Sequence, residues 1–255
     1  MYSSAQLLLL AEQYYWPFLR LSALFLAAPV FGAASVPVRV RIILAATITA
    51  LAMPMLPPMP SVDVLSAAGL MLAAQQVLIG LTMGFIVQLI FGAAVIAGQT
   101  IAMTIGLGFA MSVDPQNGVQ VPVLSQFYVI LATLIFVAVD AHLFLIEFLV
   151  HSFTLLPVGA LALRDTFAMD VVLLGSSMFL TSLLLVMPAM TAVLLINIAF
   201  GVITRAAPQL NIFAVGFPIT ILAGFVFIFL SLPSVFPLLE HMFQGGLIEA
   251  FEVFR

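Results

Sequence analysis

The stretch VLSAAGLMLAAQQVLIGLTMGFIVQLIFGAAVIAGQTIAMTIGLGFAMSV, Val64 to Val113, holds no Asp, Glu, Lys or Arg in fifty residues. As one helix it would be about 75 Å long at 1.5 Å per residue. That is more than twice the roughly 30 Å hydrocarbon core of a bilayer. The glycines gather in and just after its second half, at Gly92, Gly98, Gly106, Gly108 and Gly118. The reading is therefore a long helix to about Gly98, then an irregular stretch over about 99–121. Backbone without regular hydrogen bonds is tolerated at membrane depth only against protein or a water-filled cavity. Residues 99–121 are expected to line or plug something.

Outward from this run the composition is the same. Of 255 residues, 65% are hydrophobic and 6% charged, against about 25% charged in ordinary globular domains. A water-soluble domain could not cover its surface with so little polar material. The chain has enough apolar sequence for five to seven bilayer crossings of about 20 residues each. There is no Cys and no Lys. Their absence removes disulfides, thiolate chemistry, a Walker A loop and a Schiff-base lysine. A net charge of −4 offers no basic surface for nucleic acid. Three His without an HExxH pattern give a zinc site no support, and no cofactor is implied. No basic residue precedes Arg20, so a cleavable signal is not expected.

Charges and helix breakers mark the joints. Six helical segments are predicted, at about 5–29, 38–56, 64–98, 122–156, 170–204 and 210–232, followed by a short surface helix at about 234–252. Pro29, Gly32 and Pro37 close the first; Pro54, Pro57, Pro58 and Pro60 the second; Pro157 and Gly159 the fourth. Pro208 separates the last two. The fold class is all-α, an integral membrane-type protein. Arg39, Arg41 and Arg205 fall in odd-numbered loops against Arg164 and Arg255 in even positions, which favours both termini outside.

Few residues are placed for chemistry. Asp140 and Glu147 share a helix face at i,i+7, and Glu147 stands four before His151. Acids in an apolar helix either line a polar channel or relay protons, or mark a hydrated helix end. Arg20, inside the first apolar segment, is expected to snorkel to the interface or to pair with an acid on another helix. Gly80 and Gly84 form a GxxxG that permits close helix approach. Met103, Phe109 and Met111, beside Gly106 and Gly108, could form a deformable apolar seal. Asp114-Pro115 and Asn117-Gly118 are turn signals that would fold the stretch back. Arg205, Pro208, Gln209 and Asn211 form a helical-hairpin tip with a single cation, suited to contact a partner.

Three blocks, in order, carry a resemblance. The first runs from Phe18-Leu19-Arg20 through Ala28-Pro29-Val30-Phe31 to Val36-Pro37 and Arg41. The second is GQTIAMTIGLGFAMSVDP from Gly98 to Pro115 with VPVLSQFY from Val121 to Tyr128. The third is RAAPQLNIFAVGFP from Arg205 to Pro218. Together, across about 15–225, they resemble the FliR family of flagellar type III export-gate subunits, whose wider family includes injectisome relatives.

The resemblance implies a non-enzymatic subunit that joins FliP-like and FliQ-like proteins in a pore-forming hetero-oligomer. FlhB and FlhA belong to the same export machine, and unfolded proteins are its substrates. Location would be the bacterial inner membrane, in the flagellar basal body. It further implies a FliP-like part over 1–168, a FliQ-like hairpin over 169–232 and a tail helix over 233–255. The Gly-rich block would be the channel plug, with Met103, Gly106, Gly108, Phe109, Met111 and Asp114 in it. Arg205 to Asn211 would be the hairpin tip. A small secondary transporter with an acidic midplane site is the alternative of another class, but no inverted repeat is visible. A membrane-embedded hydrolase lacks a nucleophile–base pair.

Overall fold

The computed structural model describes residues 4–107, 123–159, 166–207 and 212–254. Among these, seven α-helices and no strand occur. They are α1 (Ser4–Ala27), α2 (Val38–Ala52), α3 (Ala67–Thr104), α4 (Val123–Ala138), α5 (Ala141–Leu155), α6 (Phe167–Ala206) and α7 (Ile212–Val253), with one 3-10 turn at Met53–Met55. Four stretches are long and apolar enough to cross a membrane: Val38–Met55, Ala67–Thr104, Phe167–Ala206 and Val215–Glu249. A fifth is obtained if α4 and α5 count as one broken span.

Three boundaries differ from the sequence reading, each for a physical reason. α3 continues through Gly98 to Thr104. Gly98 lies inside it with its bare backbone packed on α4, where an added Cβ would lie 2.4 Å from Ser125 Cα. The helix ends instead at Gly106, φ +89°. There Leu107 N donates to Ala102 O at 2.9 Å and Gly106 N to Met103 O at 3.2 Å. This is the paired-bond pattern of a glycine C-cap. Secondly, the predicted segment 122–156 is interrupted at Asp140, which has φ 55°. Asp is one of the few non-glycine residues that enter the left-handed region with tolerable cost. Its carbonyl accepts from Leu143 N and Phe144 N at 2.9 and 3.1 Å, which starts α5. Thirdly, the separate tail helix expected at 234–252 is the C-terminal part of α7, which passes through Pro218, Pro233 and Pro237. Each proline removes one helical hydrogen bond, but a buried face on the other side of α7 keeps the helix in register.

The chain forms two compact units. One comprises Met1–Leu89, Asp140–Leu174 and Gln244–Arg255; the other comprises Ile90–Val139 and Gly175–Phe243. In the first, Trp16, Leu24, Phe25, Met83, Ile86 and Phe153 are core residues. Phe25 stacks on Phe31 at 4.5 Å. Arg41 Nη2 donates to the carbonyls of Ala33 and Val36 at 2.9 and 3.0 Å, which holds the turn between α1 and α2. Near the C-terminus Phe254 meets both Phe148 and Phe167, with ring centroids 5.7 and 5.4 Å apart. In the second unit Phe91, Phe136 and Phe243 form a triangle with centroid separations of 5.3 to 5.7 Å. Ser125 donates to Val95 O at 3.1 Å beside the Gly98 contact.

Candidate functional site

Helical spacing assembles the most polar site in the first unit. On α3, Gln76, Gly80 and Gly84 recur every four residues and so share one face. They meet α1 along Arg20, Leu24 and Ala28. A Cβ at Gly80 would stand 2.2 Å from Arg20 O and 2.8 Å from Ala23 Cβ; at Gly84 it would stand 2.5 Å from Ala27 Cβ and 2.9 Å from Ala28 N. Two glycines thus let α1 press its backbone onto α3, and this approach seats the Arg20 side chain beside Gln76.

Arg20 is 0% exposed. Its Nε donates to Gln76 Oε1 at 2.8 Å and its Nη2 donates to the same oxygen. Nη1 donates to Ser152 Oγ at 2.9 Å, and Nη2 also donates to Leu156 O at 2.9 Å. The guanidinium carbon lies 3.9 Å from the Phe153 ring centroid. Ser152 donates in turn to Leu149 O at 2.6 Å. All these acceptors are uncharged. A buried cation without a counter-ion is costly; here carbonyl and hydroxyl dipoles and the ring face offset that cost. The planar fork reaches α1, α3 and the C-terminal end of α5 at once, which a lysine could not.

The expectations for Arg20 are corrected. It neither snorkels nor pairs with an acid, because Gln76 and Ser152 lie within reach and fill the donors inside the protein. The available signal was Gln76 itself, a polar side chain in the charge-free run.

The other predicted residues are dispersed. Met103 is exposed in the last turn of α3 and Gly106 caps that helix. A Cβ at Gly106 would stand 2.6 Å from Phe217 Cε2. Gly108, Phe109, Met111 and Asp114 lie outside the described residues. Arg205 is exposed in the last turn of α6, while Pro208, Gln209 and Asn211 lie outside the described residues. Asp140 and Glu147 are both exposed. Asp140 caps no helical N–H with its side chain. Among the described residues no group of three or more His, Asp or Glu could hold a metal ion.

The family model of bacterial export proteins, family 1, matches residues 11–246. The flagellar biosynthetic protein FliR of Pectobacterium carotovorum is 41% identical over 233 residues, which is 91% of this chain and 89% of that protein. FliR of Escherichia coli K12 is 40% identical over 242 residues, 95% of this chain and 92% of its own length. The Bacillus subtilis FliR is 29% identical, covering 89% of this chain and 88% of the relative. With the match running from α1 to the last turns of α7, the chain belongs to the FliR family of bacterial flagellar export proteins.

Proposed function

We propose that the chain is a subunit of the flagellar type III export gate that completes and closes a protein-conducting channel in the bacterial inner membrane, within the flagellar basal body. It acts with FliP-like and FliQ-like subunits and with FlhB and FlhA, passes unfolded export substrates, uses no cofactor and catalyses no covalent step. Residues 1–168 form the FliP-like part, 169–232 the FliQ-like hairpin and 233–255 the C-terminal tail. The plug is the segment around 99–121, from Met103 and Gly106 at the end of α3 through Gly108, Phe109, Met111 and Asp114. The hairpin tip is Arg205 with Pro208, Gln209 and Asn211. Asp140 and Glu147 belong to the polar lining at most.

The observation that carries this reading is family membership over nearly the whole chain, joined to helices too apolar to stand in water. α2 buries only Ala45 and Thr49 of its 15 residues, leaving Val38, Val40, Ile42, Ile43 and Leu51 exposed. Such surfaces need lipid or other apolar subunits. The test is affinity isolation of the tagged chain from its own cells, with export and motility of a deletion strain complemented by it. The reading expects the other gate subunits to co-purify and export to be restored. A monodisperse, partner-free monomer, or normal export in the deletion strain, would refute it.

A further inference from the structure

The end of α3 is held by the start of α7. Ile101 and Ala102 are buried in the last turns of α3, as is Ile105 just beyond it, while Met103 is 61% exposed. Ile105 packs into a notch at Gly224, which is itself buried. A Cβ at Gly224 would clash with Ile105 Cγ2 and stand 3.1 Å from Ile105 Cβ, so the branched side chain fills the space that any other residue at 224 would need. One residue later Phe217 lies against Gly106, where a Cβ would stand 2.6, 3.2 and 3.3 Å from three carbons of the ring. Phe217 and Gly224 are seven residues apart and share one side of α7. Between them Thr220 donates to Gly216 O at 2.9 Å, with Asn197 Oδ1 of α6 3.4 Å away.

The two contacts differ in kind. Ile105 in the Gly224 notch is a socket: both residues are buried, and Ile105 N donates to Ile101 O at 2.9 Å, which keeps it in helical register. Gly106 is a pivot. Its φ is +89°, and glycine enters left-handed and right-handed backbone about equally, so its own chemistry selects neither. The hydrogen bond from Leu107 N to Ala102 O and the Phe217 ring against its bare Cα hold the left-handed state. That state sets the direction in which the chain leaves α3 at Leu107.

We propose that Phe217 is a positioning residue for channel closure: its ring holds the Gly106 pivot in the left-handed state, on a fixed socket formed by Ile105 and Gly224. This rests on the reading that the stretch following α3 closes the channel, and it names what orients that stretch from outside it. The socket stays shut when the channel opens, and rearrangement begins at Gly106.

The experiment uses the full tagged chain in cells that carry the rest of the export machine, and reads dye uptake, export and the amount of co-purified complex. Phe217→Ala should raise dye uptake several-fold at an unchanged amount of complex, while Phe217→Tyr, which keeps the ring, should stay as tight as the wild type. If Phe217→Ala does not assemble, Phe217→Leu, which keeps bulk but loses the flat ring, carries the same expectation. The chain has no Cys, so Ile105→Cys combined with Gly224→Cys allows a single bridge within it. The paired change removes the γ2 methyl that the new Cβ would meet, and the remaining gap needs only a small shift to reach the usual disulfide Cβ separation of about 3.5–4.5 Å. With the bridge formed by added oxidant, export and dye exclusion should both persist. A pair that never bridges, or export stopped by oxidant and restored by reductant only in the paired variant, would overturn the socket. Unchanged uptake in the assembled Phe217 variants would overturn the role of the ring. If Phe109→Ala with Met111→Ala leaks while the Phe217 variants do not, the positioning role fails and the channel-closing reading stands. If none of them leaks, that reading fails and the positioning role with it.

Discussion

Arg20 and Gln76 are joined twice through one oxygen: the Nε and Nη2 of the arginine both donate to Gln76 Oε1, at 2.8 Å from Nε. The pair links α1 to α3 at the point where Gly80 admits the Arg20 backbone. Removing either partner therefore has unequal consequences. Gln76→Leu leaves a buried charge short of its acceptor and should destabilise the chain by about 1.5–3 kcal/mol. Arg20→Met removes the charge and should cost less. The double variant should recover part of the loss. Thermal inactivation of the purified complex measures all three, and equal losses in both single variants would show that the charge itself is not the issue.

Close approach at α3 makes a second prediction. Gly80→Ala sets a methyl 2.2 Å from a backbone oxygen that cannot swing away. The helices must separate, at about 1–3 kcal/mol. Gly175 and Gly201 in α6 meet nothing within 4 Å, so alanine there should stabilise by up to about 1 kcal/mol. Steady-state levels of the assembled complex should fall for the first substitution and hold or rise for the other two.

At Asp140 the backbone decides more than the carboxylate does. With φ 55°, Asp140→Gly should be neutral or slightly stabilising, while Asp140→Val should cost about 1–3 kcal/mol. Asp140→Asn and Glu147→Gln should leave export close to wild type, because both side chains are exposed. A strong export defect in an intact Asp140→Asn complex would assign the acid a chemical role.

The proposed plug makes a leakage prediction. An apolar constriction can hold back ions by dewetting, so Phe109→Ala together with Met111→Ala, or deletion of 106–110, should leave assembly intact and make cells leaky to small ions or dye. Gly106→Val should act differently: the positive φ and the contact with Phe217 mean that it disturbs the end of α3 itself. Conductance as low as wild type in the Phe109/Met111 variant would place the seal elsewhere.

At the proposed hairpin tip, Arg205→Glu should weaken partner binding or export several-fold, and Arg255→Glu should have little effect. Arg205 is an exposed cation in the last turn of α6, where a positive charge also suits the helix end. Equal small effects in a co-purification assay would remove the tip from the interface.

Much of this architecture could be read before any coordinates. An all-helical apolar chain follows from composition, and the ends of α1, α2 and α5 follow from Pro and Gly clusters at 29–37, 54–60 and 157–159. These are local properties. A proline lacks its donor and a glycine its side chain wherever they stand. Family membership was also legible, because the Gly98–Pro115 and Arg205–Pro218 blocks are contiguous stretches of sequence.

What tertiary structure alone decided is whether each local cost is met by a neighbour. Gly98 and Gly106 are eight residues apart in the same Gly-rich stretch, yet Gly98 packs on Ser125 inside α3 while Gly106 ends it. A break was expected between 232 and 234, but the buried side of α7 carries the helix past Pro233. Arg20 finds its acceptors 56, 132 and 136 residues away. Sequence spacing names the groups that need partners; only the packed chain brings those partners within the few ångströms over which a hydrogen bond or a van der Waals contact acts.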